Sequence, residues 1–205
     1  MTPRRILIVR TDRLGDVMLT LPMATAIKVA SGATRTPTVV GMLVSEYTAP
    51  IVTRAPHVDE VIAVGRDAGL RDLTQAIRRF RPDAVLFPNA RARTAIAALL
   101  ARVPVRVGTA YRWYGALYNK RIREHRKQAS RNEAEHNLLM LRQIGLEVDL
   151  ATAPSLQLHP QERSAADRFI EAALNGQPFI VLHAVSSGSS HAWPPERFAA
   201  LATTL

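Results

Sequence analysis

Short apolar runs alternate with amphipathic segments through the first half of this chain, and this alternation limits the fold more than any other feature. The apolar runs are too short for helices and rich in β-branched or aliphatic side chains, so they predict buried strands. They cover residues 5–10, 38–44, 60–64, 83–87 and 103–107. Such alternation is typical of βαβ units, which build a parallel sheet. The sequence therefore predicts an α/β fold with a Rossmann-like, doubly wound parallel sheet.

Helices are predicted between these strands, because apolar residues recur there every three or four positions. The first follows Gly15 and Asp16 and runs to about residue 30, with Pro22 placed to restart or kink it. The others cover residues 46–54, 70–80, 92–101 and 133–144, and Gly145 is a natural C-terminal cap for the last.

The alternation stops after Gly108 and resumes after residue 160. Residues 147–160 resemble a linker around a short strand at 156–158. A helix from Gln161 to about Leu174, a strand at 179–183 and a helix opened by Pro194 and Pro195 then follow. We predict a first domain at residues 1–150 and, at 151–205, a linker with the truncated start of a second Rossmann-like domain. The apolar residues 179–182 would then be left uncovered.

Composition excludes several classes of protein. With 47% hydrophobic and 21% charged residues, the chain lies outside the range of disordered proteins. The absence of cysteine rules out disulfide scaffolds, thiolate metal sites and cysteine catalysis, and it suits a reducing cytoplasm. No run of about 18 uninterrupted apolar residues predicts a membrane span.

The formal net charge is +10, and it is unevenly spread. Between Arg102 and Arg131 there are nine basic residues and one acid, Glu124. Within this stretch, residues 111–127 interleave Tyr and Trp with Arg and Lys; we call them the basic aromatic segment. It has three interpretations: a nucleic-acid platform, a surface facing a membrane or an acidic substrate, or a packed irregular loop with a solvated basic face.

The loop after the first predicted strand, residues 11–16, is the first candidate site, because ligands of doubly wound sheets bind beyond the carboxyl ends of the strands. It has neither a GxGxxG nor a GxxxxGK[ST] pattern, so no dinucleotide or triphosphatase motif is present. Gly15 allows close backbone approach. Asp16, at a predicted helix N-terminus, is either a helix cap or a general base.

The chain resembles the heptosyltransferase family, glycosyltransferase family 9, whose members are inverting glycosyltransferases with two Rossmann-like domains in the GT-B arrangement. The first match is a pattern of Arg10, Thr11, Leu14, Gly15, Asp16, Leu21 and Pro22. Further matches follow in order: PHVDEVI (56–62), RTA (93–95), VRVGTAYR (105–112), EHNLLMLRQIGL (135–146) and IVLH…WPPERFAALA (180–202).

The resemblance implies roles for particular residues. Asp16 falls on the family's proposed catalytic base, which activates the acceptor hydroxyl for inverting attack on a nucleotide-activated sugar. The acceptor side would comprise Arg10, Thr11, Arg13, Gly15, Arg91 and Arg93, although each arginine could equally be a solvated surface charge. The implied partners are ADP-heptose as donor and a phosphorylated, lipid-linked glycan as acceptor. The implied protein is cytoplasmic, peripheral to the inner membrane, and needs no cofactor or metal.

The donor side departs from the family pattern. There the loop typically reads His-Pro-Gly, with a lysine two positions before Trp-Pro. Here Ala184 and Val185 replace Pro-Gly, and His191 stands in the lysine position. Ser186, Ser187 and His191 remain the candidate contacts for the donor phosphates, with a weaker cation at neutral pH.

Three hypotheses follow. The first is a heptosyltransferase-like enzyme, C-terminally truncated and expected to have little or no activity alone. The second is a non-catalytic module that keeps an anion-binding or membrane-binding surface. The third, an RNA-binding protein, has only the basic aromatic segment in its favour, since no RNA or DNA motif accompanies it.

Overall fold

The computed structural model of this chain describes residues 3–33, 37–123, 131–184 and 193–205. They form two compact units, Met1–Gln157 and Leu158–Leu205. The first unit extends beyond residue 150 because the following segment is still tied to it. Leu150 packs against the core of that unit, and the Gln157 N–H donates to the Arg54 carbonyl oxygen at 2.7 Å.

The first unit is built on a six-stranded sheet in the order β3-β2-β1-β4-β5-β6, and every neighbouring pair is parallel. The strands are β1 (Arg5–Arg10), β2 (Val39–Ser45), β3 (Glu60–Val64), β4 (Ala84–Leu86), β5 (Val105–Thr109) and β6 (Lys120–Ile122). This order reverses between β1 and β4, which makes their carboxyl ends the expected ligand-binding crevice. The predicted Rossmann-like parallel sheet is confirmed.

Helices cover both faces of this sheet and make up the regular structure described for the second unit. They are α1 (Leu14–Met18), α2 (Leu21–Ala33), α3 (Ala49–Val52), α4 (Leu70–Phe80), α5 (Ala92–Leu100), α6 (Glu133–Leu139), α7 (Pro160–Leu174) and α8 (Pro195–Thr204). Helix α3 is shorter than predicted. The predicted helix at 133–144 is α6 continued by a 3-10 helix, Met140–Ile144, and Gly145 caps it at φ 80° as predicted.

Pro22 marks a break between α1 and α2, as the sequence predicted. It is the second residue of α2, where a missing N–H leaves no helical hydrogen bond unmade. By length and hydropathy, Leu14–Gly32 could cross a membrane, but half of this stretch is buried inside the fold. Val17, Leu21 and Ile27 are fully or almost fully buried, which fits a pair of core helices.

Alternate residues of the central strands bury their side chains on opposite faces of the sheet. Ile6 and Ile8 of β1 belong to a core formed with α2 and α6, whereas Leu7 and Val9 belong to a core formed with α4 and α5. Because both faces are covered, the four residues between Arg5 and Arg10 are all apolar, which is the pattern that predicted the strand.

Strand β6 was missed from the sequence, where the segment after Gly108 was interpreted as irregular. Trp113–Leu117 is a 3-10 helix and Lys120–Ile122 extends the sheet beside β5. Two of the three residues of β6 are charged and exposed, so the strand lacks an apolar signature. Such charges are common on an edge strand, where they oppose pairing with other chains.

The second unit has no strand among its described residues. The strands predicted at 156–158, which spans the last residues of the first unit and the first of the second, and at 179–183 do not form in this structure. A strand exists only where a neighbour supplies hydrogen-bonding partners, and the described residues of this unit offer the helices α7 and α8 instead. Phe179–Leu182 are consequently exposed, with Val181 76% accessible.

Candidate functional site

A cavity of about 1100 Å³ lies at the carboxyl edge of the sheet. Its walls come from the loops that follow β1, β2, β3 and β4, together with Tyr114. They include Thr11, Asp12, Arg13, Ser45, Glu46, Tyr47, Gly65, Arg66, Arg91, Arg93 and Thr94. Parallel strands bring their carboxyl ends to one edge, so residues far apart in sequence line one space.

Four arginines give this cavity its chemical character. Arg13, Arg66, Arg91 and Arg93 all line it and are all exposed. Arg93 donates to the Ala68 carbonyl oxygen at 3.2 Å. Within the part of the chain that the structure describes, the other three side chains have no hydrogen bond or ion pair. Exposed guanidinium groups converging on one cavity favour a ligand with phosphate or carboxylate groups.

Arg66 and Tyr47 were not predicted from the sequence. Both come shortly after a strand, Tyr47 after β2 and Arg66 after β3, and the rule that selected Arg91 and Arg93 would have found them.

Arg10, predicted to contact the acceptor, has different surroundings. The residue is only 4% exposed. Its Nε lies 2.7 Å from Asp12 Oδ1, its Nη1 3.0 Å from Glu133 Oε1, and its Nη2 3.2 Å from Asp16 Oδ1. A ligand could reach this guanidinium only by breaking these contacts. Arg10 therefore fits the role of a buried counter-ion for these three carboxylates better than the role of an acceptor-binding residue or of a solvated surface charge.

Asp16 lies in the first turn of α1 but does not cap it. The N-cap residue is Arg13, and no side-chain hydrogen bond caps this helix. The predicted cap is therefore wrong, although a carboxylate in the first turn of a helix still interacts favourably with the helix dipole. The Asp16 side chain remains 37% exposed, so it faces both Arg10 and solvent. Its neighbours in the loop are Thr11, which lines the cavity, and the exposed Gly15.

The surroundings of Asp16 make its carboxylate more basic. Partial burial raises the pKa of Asp16 above its ordinary value of 3.8, because desolvation disfavours the charged form. The positive charge of Arg10 lowers this pKa, while the negative charges of Asp12 and Glu133 raise it. The raised pKa results from burial and two neighbouring carboxylates outweighing one cation.

Two further contacts fix the carboxylates around Arg10. Asn89, after β4, donates its amide to Asp12 Oδ2 at 2.7 Å. Glu133 is the first residue of α6, and this helix begins with a reciprocal cap between Asn132 and Glu135. Neither Asn89 nor Glu133 was predicted as a site residue, since no local motif links them to the loop at 11–16.

Ser186, Ser187 and His191, the predicted donor-phosphate contacts, lie outside the described residues. Of that loop the structure describes His183 and Ala184, both exposed. Across residues 3–33, 37–123, 131–184 and 193–205, no group of three or more His, Asp or Glu side chains is arranged to hold a metal ion.

The basic aromatic segment divides into a buried and an exposed part over residues 111–123, the portion that the structure describes. Tyr118 packs against Phe87 with ring centroids 5.2 Å apart, and Tyr114 donates its hydroxyl to the Ala90 carbonyl oxygen at 2.6 Å. Trp113, in contrast, is 81% exposed. The other exposed aromatic and basic side chains of this portion are Tyr111, Arg112, Lys120, Arg121 and Arg123.

These features together define a Rossmann-like α/β domain with an arginine-lined cavity at the switch point of its sheet. Residues 70–205 match glycosyltransferase family 9 (heptosyltransferase). This match covers more than half of the chain, so the chain belongs to glycosyltransferase family 9.

Several known proteins are similar to this chain. A Haemophilus influenzae protein provisionally assigned as a glycosyltransferase is 25% identical over an alignment of 199 positions that covers 91% of this chain and 56% of that protein. A family 9 glycosyltransferase from Veillonella parvula aligns with a TM-score of 0.78 at 22% identity over 98% of this chain and 59% of that one. The E. coli heptosyltransferase WaaC aligns with a TM-score of 0.65 at 21% identity, over 98% and 63% respectively. This chain therefore spans less than two thirds of each of these relatives.

Proposed function

We propose that this protein transfers a sugar, heptose, from a nucleotide-activated donor to a phosphorylated glycan acceptor of the lipopolysaccharide-core type, with inversion. Asp16 is the general base that removes the proton of the attacking acceptor hydroxyl. The observation that carries the proposal is the partly exposed Asp16 carboxylate, held against Arg10 next to Asp12 and Arg13, which line the arginine cavity; burial raises the pKa of this carboxylate. A raised pKa suits a general base, because it brings proton affinity closer to the working pH.

The cavity supports an anionic acceptor. Arg13, Arg66, Arg91 and Arg93 surround a space large enough for a small glycan, and Thr11, Ser45 and Thr94 add hydroxyl groups for sugar contacts. Arg66 is our addition to the acceptor side, and Arg10 is removed from it.

The donor assignment has a different basis. The similar E. coli heptosyltransferase WaaC was solved with ADP and with ADP-2-deoxy-2-fluoro heptose. We propose ADP-heptose as the donor of this protein, with its diphosphate held near Ser186, Ser187 and His191. Inversion is a single displacement and needs one base, and the diphosphate leaving group needs charge neutralisation more than protonation. On this scheme no metal or cofactor takes part.

Single-turnover transfer from ADP-heptose to a lipid A-type acceptor, with the chain in excess, tests the catalytic part. We expect slow transfer that Asp16→Asn reduces by about 100-fold or more, as for the loss of a general base. Asp167→Asn, at an exposed position of α7, is the matched control and should transfer at the wild-type rate. Transfer unaffected by Asp16→Asn would exclude Asp16 as the base.

Acceptor binding can be measured independently of turnover. Arg66→Gln should weaken the binding of a phosphorylated glycan about tenfold, equivalent to about 1.4 kcal/mol, because one charge-assisted contact is lost. Arg79→Gln is the control, since Arg79 is exposed in the last turn of α4 and does not line this cavity. Calorimetric titration at two salt concentrations measures both the affinity and its ionic component. Equal weakening by both variants would contradict a specific site.

A second proposal concerns the membrane. The exposed Trp113 and Tyr111, flanked by exposed cations, favour a cytoplasmic protein bound peripherally to an anionic lipid surface. The alternative to an enzyme is a non-catalytic module that uses the same surface to bind membranes or anions. In a Trp193→Phe background Trp113 is the only tryptophan, so its fluorescence reports directly on insertion.

We expect a blue shift with vesicles containing phosphatidylglycerol and none with phosphatidylcholine alone. Lys120→Gln combined with Arg121→Gln should weaken the vesicle binding. Absence of the shift at low salt contradicts membrane attachment, and tight RNA binding with a steep salt dependence would favour the nucleic-acid hypothesis instead.

A further inference from the structure

Three carboxylates from two distant parts of the chain share a single buried guanidinium. Asp12 comes from the loop after β1 and Asp16 from the first turn of α1, whereas Glu133 comes from the start of α6, more than a hundred residues later. Each carboxylate contacts a different nitrogen of Arg10. With all groups ionised, the cluster carries more negative than positive charge.

The three contacts with Arg10 are not equivalent. Nε to Asp12 and Nη1 to Glu133 are hydrogen bonds of 2.7 and 3.0 Å, and Asp12 is further fixed by Asn89. The contact of Nη2 with Asp16 is longer, at 3.2 Å, and Asp16 is the most exposed of the three carboxylates. Asp12 and Glu133 therefore hold Arg10 in place. Asp16 has the longest, and so the weakest, electrostatic contact with the Arg10 guanidinium.

We propose that Arg10 and Glu133 are positioning residues for Asp16. Arg10 orients the Asp16 carboxylate from inside the fold. Glu133 competes with Asp16 for the same guanidinium, and this leaves the Asp16 carboxylate more able to take a proton. This inference rests on the proposed role of Asp16 as base, but the arrangement can be tested without transfer.

The charges that face Asp16 act in the directions this arrangement requires. Burial raises the pKa of Asp16, Arg10 lowers it, and Asp12 and Glu133 raise it. Glu133 is placed for this effect by the Asn132 and Glu135 cap, which fixes where α6 begins. Helix α6 therefore contributes to the chemistry of a loop with which it shares no sequence motif.

NMR titration of the Asp16 carboxyl carbon in the intact chain tests the proposal, with the signal assigned by its absence in Asp16→Asn. Glu133→Gln keeps the size and an acceptor oxygen, so it should fold, and it should lower the Asp16 titration midpoint. Arg10→Gln should raise this midpoint, because the guanidinium that contacts Asp16 and lowers its pKa is removed. Glu60→Gln, which loses an exposed pair with Arg5 at the amino edge of the sheet, is the control and should leave it unchanged.

An Asp16 midpoint that does not move in Glu133→Gln, or that rises, would overturn the proposal. If Arg10→Gln does not fold, Glu133→Gln decides, provided that its amide chemical shifts around Asp16 match those of the wild type, because a general loosening would expose Asp16 and also lower its midpoint. Transfer that is insensitive to Asp16→Asn, with the midpoints shifting as expected, would refute the proposed function and leave the positioning intact.

Discussion

At the Asp16 carboxylate, burial and the charges of Asp12 and Glu133 raise the pKa while the charge of Arg10 lowers it, and the net rise has a consequence for stability. The native pKa lies above the ordinary value of 3.8, which we take for the unfolded chain. Between these two pKa values the native state binds more protons than the unfolded state, so stability falls as pH rises through this window. At neutral pH the ionised side chain therefore destabilises the fold.

Asp16→Asn should consequently be at least as stable as wild type at neutral pH, because the variant has no charge to desolvate. The difference should vanish below pH 3.8, where Asp16 is protonated in both states. Urea unfolding at several pH values measures this. Asp59→Asn is the contrast: the Asp59 carboxylate accepts the Val40 N–H at 2.7 Å and pairs with Lys28, so its loss should destabilise. A less stable Asp16→Asn at neutral pH would show that the charge serves the fold.

Two neighbouring tyrosines allow another residue-scale prediction. Within the described part of the chain the buried Tyr118 hydroxyl has no hydrogen-bond partner, whereas the Tyr114 hydroxyl donates to Ala90. Tyr118→Phe should stabilise the chain by about 1 kcal/mol, because an unsatisfied buried group is removed and the ring contact with Phe87 is kept. Tyr114→Phe should destabilise it by a similar amount.

Burial also raises the pKa of Tyr118, so wild-type stability should fall above pH 10 as the unfolded chain loses this proton first. In Tyr118→Phe this part of the alkaline loss should disappear. Thermal melts at neutral and alkaline pH measure both effects, and a destabilised Tyr118→Phe would mean that the hydroxyl is satisfied in solution.

At the scale of elements, the strands and helices were predicted accurately where the apolar pattern of the segment itself specifies which side chains are buried. β1 and α4 carry their burial pattern in their own sequence, so the sequence alone located them. β6 forms only because β5 offers a free edge, and the strand predicted at 179–183 finds no partner among the described residues. Which strands pair with each other cannot be predicted from the sequence of either strand alone.

Gly41 shows how closely α4 packs on the sheet. A Cβ at this position of β2 would lie 2.5 Å from the Phe80 ring, which is fully buried. Gly41→Ala should therefore cost about 1–3 kcal/mol through overpacking. Gly32→Ala is the control: nothing lies within 4 Å of its Cβ position, and in α2 the change should be neutral or stabilise by about 0.5–1 kcal/mol. Equal effects in chemical denaturation would contradict the tight contact.

For the whole molecule, the second unit exposes consecutive apolar side chains. Phe179, Ile180 and Val181 are each more than half exposed, as expected from the sequence for residues 179–182. Such a patch promotes association in water. Val181→Asp should reduce concentration-dependent self-association in sedimentation experiments, whereas Thr203→Asp, on α8, should not. Unchanged association in Val181→Asp would place the contact elsewhere.

The sequence by itself determined the parallel α/β class, the break at Pro22, the cap at Gly145 and the family. Each of these depends on local pattern or on motifs in a fixed order. It also selected Asp16, Arg13, Arg91 and Arg93, which follow predicted strands. Only the tertiary structure decided that Arg10 is buried, that Arg66 joins the cavity and that Glu133 reaches the loop at 11–16. The physical reason is that parallel strands end at one edge, so the residues that meet there are chosen by strand order and helix placement and carry no shared sequence signal.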